Sequence, residues 1–338
     1  MKIIFVGTPE FGAIVLEGLI KGGYRPILVI TAPDKPVGRK QILTPPPVKL
    51  LASKYGIPIS QPKEIRNSKS EIRKLEPDLI VVAAYGQILP KEILDIPKFG
   101  CLNIHPSLLP KYRGPSPIQF TILEGDDKTG VTVIKMTEKV DAGPVLAQKE
   151  IELNGKEFYT DLHNKLAELG GKLLTEIIPK WIEGKIKAIL QDETKATYSK
   201  ILKKEDGRID WKKPAKVIER QVRAFNPWPG TFTLFTRARQ SRAKGEDEAT
   251  ASLTTRATAK AKRTAFSSSP SPRKRGSVGE KSKILKILKA QISEKNGKKL
   301  LVIEKVLLEG KKPMSFEDFL RGYPDFVKDK QICSRILI

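Results

Sequence analysis

The first hundred residues alternate short, continuously apolar runs with segments in which apolar positions recur every three or four residues. KIIFV (2–6), RPILVIT (25–31), DLIVVAAY (78–85) and GCLNIH (100–105) are too short and too uniformly apolar for surface helices, and they read as strands. Between the first two, about Glu10 to Lys21 carries a helical period. Strands without a polar face, alternating with helices, predict an α/β fold in which a parallel sheet is covered on both sides. After His105 the pattern changes. GVTVIKM (130–136) and GPVLAQKEIEL (143–153) flank EKVDAG as two strands would, predicting an antiparallel extension of the sheet. A long amphipathic helix is expected from about Phe158 to Lys180, and GKIKAILQDETKATYSK (184–200) reads as an exposed connection.

Past that connection the periods describe a second unit. DGRIDWKKPAKVIERQVRAFNPWPG (206–230) holds a short strand, a helix ending near Arg223 and a proline-set turn, and TFTLF (231–235) begins another strand. Residues 236–282 break the pattern: their only large apolar residues are Leu253, Phe266 and Val278. That is too little to offset a backbone ordering cost of about 1–2 kcal/mol per residue, so a disordered excursion is expected. Its flanks, TFTLF and KILKILKA, should pair as neighbouring strands, because a long insertion at a hairpin tip adds little loop-closure entropy. KILKILKAQI and KLLVIEKVLL are strand-like, and PMSFEDFLRG is a short helix. A few strands with one or two helices suggest a small β-barrel of the oligonucleotide-binding type.

Charge narrows the partners. The chain of 338 residues carries 62 basic and 38 acidic residues, a net +24. Residues 236–282 account for 12 basic and 4 acidic of these, net +8, which leaves +16 elsewhere. Such an excess suits a polyanionic partner, nucleic acid before membrane, although general solubility would also be served by it. No run of 18 apolar residues predicts a membrane span, and MKIIFVGTPEFG is too briefly apolar for a secretory signal. Two cysteines, Cys101 and Cys333, argue against a disulfide framework and match no zinc spacing. A cytoplasmic protein is expected.

Only two histidines occur, and one of them closes a strand in CLNIHPSLLPKYRGPSPIQ (101–119). Alternation puts Asn103 and His105 on one face, about 7 Å apart, with Ile104 on the other. Pro106 ends the strand and leaves both groups at a carboxyl edge, where open α/β sheets bind ligands. An amide donor beside an imidazole suits stabilisation of an oxygen that gains charge in acyl transfer. A purely structural strand-end pair would look the same. Cys101 lies about 13 Å from His105 along the strand, too far for a nucleophile–base pair, and reads as core. Asp141, in the EKVDAGPV turn, is the best group to orient the imidazole, though a turn aspartate also commonly caps its own turn. GTPEFG (7–12) has two glycines but not the dinucleotide-binding pattern, and reads as a helix start.

The run SLLP at 107–110 and Asp141, 36 residues past His105, complete a set that resembles the formyltransferases using 10-formyltetrahydrofolate. The likeness extends through GTPEFG, TAPDKPVGRKQILTPPPVK (31–49), AAYGQILP (83–90) and YTDLHNKLAELG (159–170). It continues in QDETKATYSKI (191–201), GRIDW (207–211), RAFNPWPG (223–230) and EGKKPMSFEDFL (309–320). Two departures stand out: the basic stretch between TFTLF and KILKILKA, and a shortened middle of the C-terminal barrel.

The resemblance implies a Rossmann-like catalytic domain at 1–190, a linker at 191–206 and a tRNA-binding barrel at 207–338, interrupted at 236–282. It implies formyl transfer to the amino group of methionine on initiator tRNA, with initiator methionyl-tRNA and the folate as partners, no metal, and a monomer. Asn103, His105 and Asp141 would be catalytic. Ser107, Leu108, Leu109 and Pro110, with Gln87, Ile88 and Leu89, would hold the folate, and His163 would be a helix-surface or packing residue. Lys35, Arg39 and Lys40, in the proline-rich loop 33–47, would meet the tRNA; as a bare loop it would be a stiff surface element. A folate-dependent enzyme acting on a small amine would share the Asn-His-Asp set without needing the basic loop or second unit. A nicotinamide oxidoreductase lacks its glycine pattern here, and a purely RNA-binding protein leaves Asn103 and His105 unexplained.

Overall fold

KIIFV forms β1 (Ile3–Gly7), every residue of which is buried. Its alternation sends Ile3 and Phe5 into one core and Ile4 and Val6 into another, so the strand needs apolar residues at all positions. A computed structural model of the protein describes residues 1–38, 40–235, 282–295, 297–328, 330–334 and 336–337. In chain order there follow α1 (Glu10–Lys21), β2 (Leu28–Ile30), β3 (Lys35–Val37), β4 (Ile42–Thr44), α2 (Pro47–Lys54), β5 (Ile59–Ser60) and α3 (Lys69–Leu75). Next come β6 (Leu79–Ala83), α4 (Lys91–Leu94), β7 (Cys101–His105), α5 (Pro117–Glu124), β8 (Lys128–Lys135), β9 (Val145–Glu152) and α6 (Tyr159–Ile182).

Seven of these strands make one sheet in the order β5-β2-β1-β6-β7-β8-β9. From β5 to β7 neighbours run parallel, and β8 lies antiparallel to both β7 and β9, which is the extension expected of residues 130–153. One face packs under α1, α2, α5 and α6, and the other under α3 and α4. The chain turns from β2 and β5 on one side of β1 to β6 on the other, so a crevice opens at the carboxyl ends of β1 and β6.

Close backbone approach explains the glycines of GTPEFG. A Cβ on Gly7 or Gly12 would stand 2.7 or 2.8 Å from the Ala83 carbonyl oxygen, so their absence lets α1 start tight against β6. The turn is a helix start. Helix α6 buries Leu162, Leu166, Leu173, Leu174, Ile177 and Ile178, each worth about 1.5–3 kcal/mol of burial.

Residues 35–44, expected as a stiff loop, instead form a hairpin, β3 against β4. The reversal uses Gly38 at φ 73° and Gln41 at φ 49°, and the Gln41 side chain donates back to the Gly38 carbonyl. Lys35 and Lys40 are exposed on it. Arg39 lies outside the described residues.

The second unit contains α7 (Ala215–Ala224), β10 (Thr231–Phe235), β11 (Lys283–Lys295), β12 (Lys298–Leu308), β13 (Met314–Ser315), α8 (Phe316–Gly322) and α9 (Lys330–Cys333). Its strands form an antiparallel sheet in the order β10-β11-β12-β13. That sheet is what the described residues contain of the expected barrel. Its core gathers Trp211, Ile218, Phe235, Leu285, Leu301, Phe319 and Phe326. GRIDW is not a full strand; it joins β10 through a single bridge from Arg208 to Phe232. TFTLF and KILKILKA do pair, with Phe235 opposite Lys283 and Thr231 opposite Ile287. Residues 236–281 of the intervening stretch, and with them the expectation of disorder, lie outside the described residues.

Candidate active site

Strand β7 sorts its side chains by parity. Leu102 and Ile104 enter the core beneath α1 and α6, while Asn103 and His105 share the opposite face at the carboxyl edge. His105 is 4% exposed. Its Nε2 lies 3.0 Å from the Tyr112 carbonyl oxygen, which can only accept, so Nε2 carries a proton and donates it. That bond fixes the ring and leaves Nδ1 toward Asp141, whose Oδ2 is 3.5 Å away.

Asp141 arrives from the turn between β8 and β9, with its backbone left-handed at φ 51°. Its Oδ1 accepts from Asn103 Nδ2 at 3.3 Å, and its Oδ2 accepts from the Gly114 amide at 2.8 Å. One carboxylate therefore ties both β7 side chains to the loop that follows them. The long contacts to Asn103 and His105 leave room for a reacting group to enter. Cys101, two residues back on the same face, is 1% exposed, and burial pushes its thiol up to about 12, as suits a core residue.

These three side chains line a cleft of about 560 Å³, a size usual for small-ligand sites. Its apolar walls include Phe11, Leu89, Ile118, Ile134 and Met136. Gln87, Ile88 and Leu89 line it as well. The Gln87 amide is turned away, accepting from the Ile65 amide and donating to the Lys63 carbonyl, so its polar end holds a neighbouring loop.

Ser107, Leu108, Leu109 and Pro110 follow β7 directly and are not among the residues lining this cleft. Ser107 Oγ donates to the Lys111 carbonyl, and the Leu109 amide and Ser107 carbonyl both bond Thr132 Oγ1. These residues turn the chain behind β8 because their polar groups are satisfied there. His163 does pack, edge-on to Phe11 with ring centres 5.6 Å apart, yet it also borders the cleft.

Sequence reasoning missed the support beneath the site. Arg113 is 2% exposed, and its guanidinium forks onto the Glu193 carboxylate at 2.8 and 2.9 Å. That bond draws the Glu193 carboxyl below its usual range. The same guanidinium donates twice to Gln191 Oε1, at 2.9 and 3.1 Å. Residues 191–199 are thus no free connection: Ser199 is buried, and its amide donates to the Arg113 carbonyl. The available signal was an arginine amid the apolar and proline positions of KYRGPSP, with QDET downstream to neutralise it.

The comparisons with known proteins fall in the same place. The formyl transferase family model matches residues 1–178, and the formyl transferase C-terminal domain model matches residues 201–324. The chain belongs to the formyl transferase family. A methionyl-tRNA formyltransferase of Bacillus velezensis is 52% identical over 235 residues, which are 69% of this chain and 74% of that protein. One from Geobacillus sp. is 49% identical over 237 residues, 70% of this chain and 74% of the relative. Among solved structures, a 4-N formyltransferase from Francisella tularensis shares 22% identity at a TM-score of 0.55, over 69% of this chain and 93% of its own. HypX from Aquifex aeolicus, in complex with tetrahydrofolic acid, shares 17% at a TM-score of 0.54, over 97% of this chain and 48% of its own. Both share the formyl transferase fold. Gln191 and Glu193 fall between the two matched segments of this family member. Among the described residues no helix is long and apolar enough to cross a membrane.

Proposed function

We propose that this chain transfers the formyl group of 10-formyltetrahydrofolate to the amino group of methionine on initiator tRNA. The meeting of Asn103, His105 and Asp141 on the wall of a largely apolar cleft carries this reading. The identity of about half to methionyl-tRNA formyltransferases selects the acceptor.

The amine attacks the formyl carbon, a C–N bond forms, and the carbonyl oxygen becomes an oxyanion. Asn103 has two amide hydrogens and gives one to Asp141, which leaves the second for that oxygen. With Nε2 donating to Tyr112, His105 reaches the oxygen only through Nδ1, which donates to it when the ring carries both protons. Such preorganised donors are worth about 100- to 1000-fold each in rate. Asp141 stands where it can take the proton leaving the attacking nitrogen and pass it, directly or through the imidazole, to the folate nitrogen as the old C–N bond breaks. The folate's flat rings suit the apolar walls, which include Ile88 and Leu89.

In this reading residues 1–190 carry catalysis, 191–206 join the units, and 207–338 bind tRNA. Lys35, Arg39 and Lys40 contact the acceptor end of the tRNA. The net charge of +24 supports an RNA partner. The enzyme acts as a monomer in the cytoplasm, where charged initiator tRNA is made.

Labelled formyl from 10-formyltetrahydrofolate, offered to charged initiator tRNA, free methionine and glycinamide ribonucleotide in parallel, tests the assignment. Label should enter the tRNA alone. Preferential labelling of a small amine would move the chain to the small-substrate branch of the family.

A further inference from the structure

We propose that Gln191 and Arg113 are positioning residues for Asp141, so that the segment joining the two units forms part of the reaction centre. This rests on the formyl-transfer reading above and adds to it the support on which the carboxylate depends.

Every hydrogen-bonding position of the Gln191 side chain is engaged. Its Nε2 donates to the Asp141 carbonyl at 2.8 Å and to the Gly143 carbonyl at 2.7 Å. Its Oε1 accepts from Nε and Nη2 of Arg113. An amide offers two donors and two lone pairs, and here all four are matched. The two carbonyls it holds bracket the tip of the turn from which the Asp141 carboxylate projects. That tip needs holding. Asp141 is left-handed, a strained state for a non-glycine residue that persists only where neighbours over-determine it.

Arg113 acts from both sides. Through its side chain it orients the Gln191 amide, and the next backbone amide, that of Gly114, donates to Asp141 Oδ2 at 2.8 Å. The guanidinium is locked in turn by Glu193, and the backbone by two bonds, from the Arg113 amide to the Thr197 carbonyl and from the Ser199 amide to the Arg113 carbonyl. The connection from 191 to 199 therefore closes a ring of bonds around the carboxylate. A shift of about 1 Å in such a group can lower a rate about 100-fold.

A purely structural reading would have Gln191 only anchor the connection to Arg113. Gln191→Glu separates the two. A carboxylate keeps the length and strengthens the bond to the guanidinium, but it cannot donate to the carbonyls of Asp141 and Gly143 and sets oxygen against oxygen there. We expect kcat for formyl transfer to fall 10- to 100-fold, with KM for folate and for methionyl-tRNA within about threefold of wild type. Thermal stability should be retained, while amide hydrogen exchange across residues 139–145 speeds up. Gln191→Met, which keeps the length and loses every bond, should show the same loss of kcat, and it decides the matter if the glutamate variant does not fold.

Wild-type kcat in Gln191→Glu, or unchanged exchange over 139–145, would overturn the proposal. The exchange measurement does not depend on activity. If the wild-type protein transferred no formyl group to tRNA, the functional reading would fall and the exchange data would still decide the positioning role.

Discussion

His105 and Asn103 differ in what they do for the fold, so their loss should separate activity from stability. Asn103 is half-buried, and its side-chain amide donates to the Asp141 carboxylate. Asn103→Ala should cut transfer about 100- to 1000-fold while leaving the melting temperature within a few degrees. His105→Ala should lose as much activity and also about 1–3 kcal/mol of stability, because the Tyr112 carbonyl would be left without its donor. Turnover within a few-fold of wild type in both variants would remove these residues from the chemistry. The cysteines give a separate check on burial. A thiol at about 12 stays protonated and unreactive through neutral and mildly alkaline pH, whereas Cys333 is exposed. Thiol titration at pH 8 should find one reactive group in the native protein and two after denaturation.

Helices α1 and α6 cross where Gly18 meets Gly171: a Cβ on Gly171 would stand 3.3 Å from the Gly18 Cα. Neither helix can give way, since α1 is pressed on the sheet and α6 buries Gly170 against Ile104. Gly171→Leu should therefore destabilise the protein by about 1–3 kcal/mol, read as a fall of several degrees in calorimetric Tm. Tolerance of the leucine would mean that α6 is free to slide. The elements themselves were largely legible. The α1 period and the strand runs 78–85 and 100–105 each correspond to an observed element, because burial on both faces leaves a strong apolar signature. The β3–β4 hairpin was not legible: its strands are exposed and three residues long, and its turn depends on Gly38 and Gln41 at positive φ.

The interrupted sheet of the second unit allows a test on the scale of the whole molecule. Phe235 and Lys283 are cross-strand partners, so their Cα atoms lie about 5 Å apart, within reach of a short turn. Replacing residues 236–281 with a glycine-containing turn should preserve the β10–β11 pair, and with it formyl transfer and thermal stability. Loss of either would show that the removed residues contribute to the fold. The deleted residues 236–281 carry 12 basic and 4 acidic residues, so the deletion removes +8 of the total +24. With the remaining +16, kcat/KM for tRNA should still fall steeply as salt rises, and folate binding should change little. A tRNA dependence insensitive to salt would argue against a phosphate-reading surface.

By itself, the sequence determined the layered α/β plan, the antiparallel extension, and the face shared by Asn103 and His105. Each of these follows from local period and the alternation of side chains along a strand, which need no knowledge of distant residues. Tertiary structure decided the rest of the site. Asp141 comes to the pair across 36 residues, while Arg113 and Gln191 meet across 78. Thr132 of β8 bonds the Leu109 amide and the Ser107 carbonyl across 23 and 25 residues. Contacts of that range depend on how elements pack, and no periodicity in the chain records which buried polar group will satisfy which.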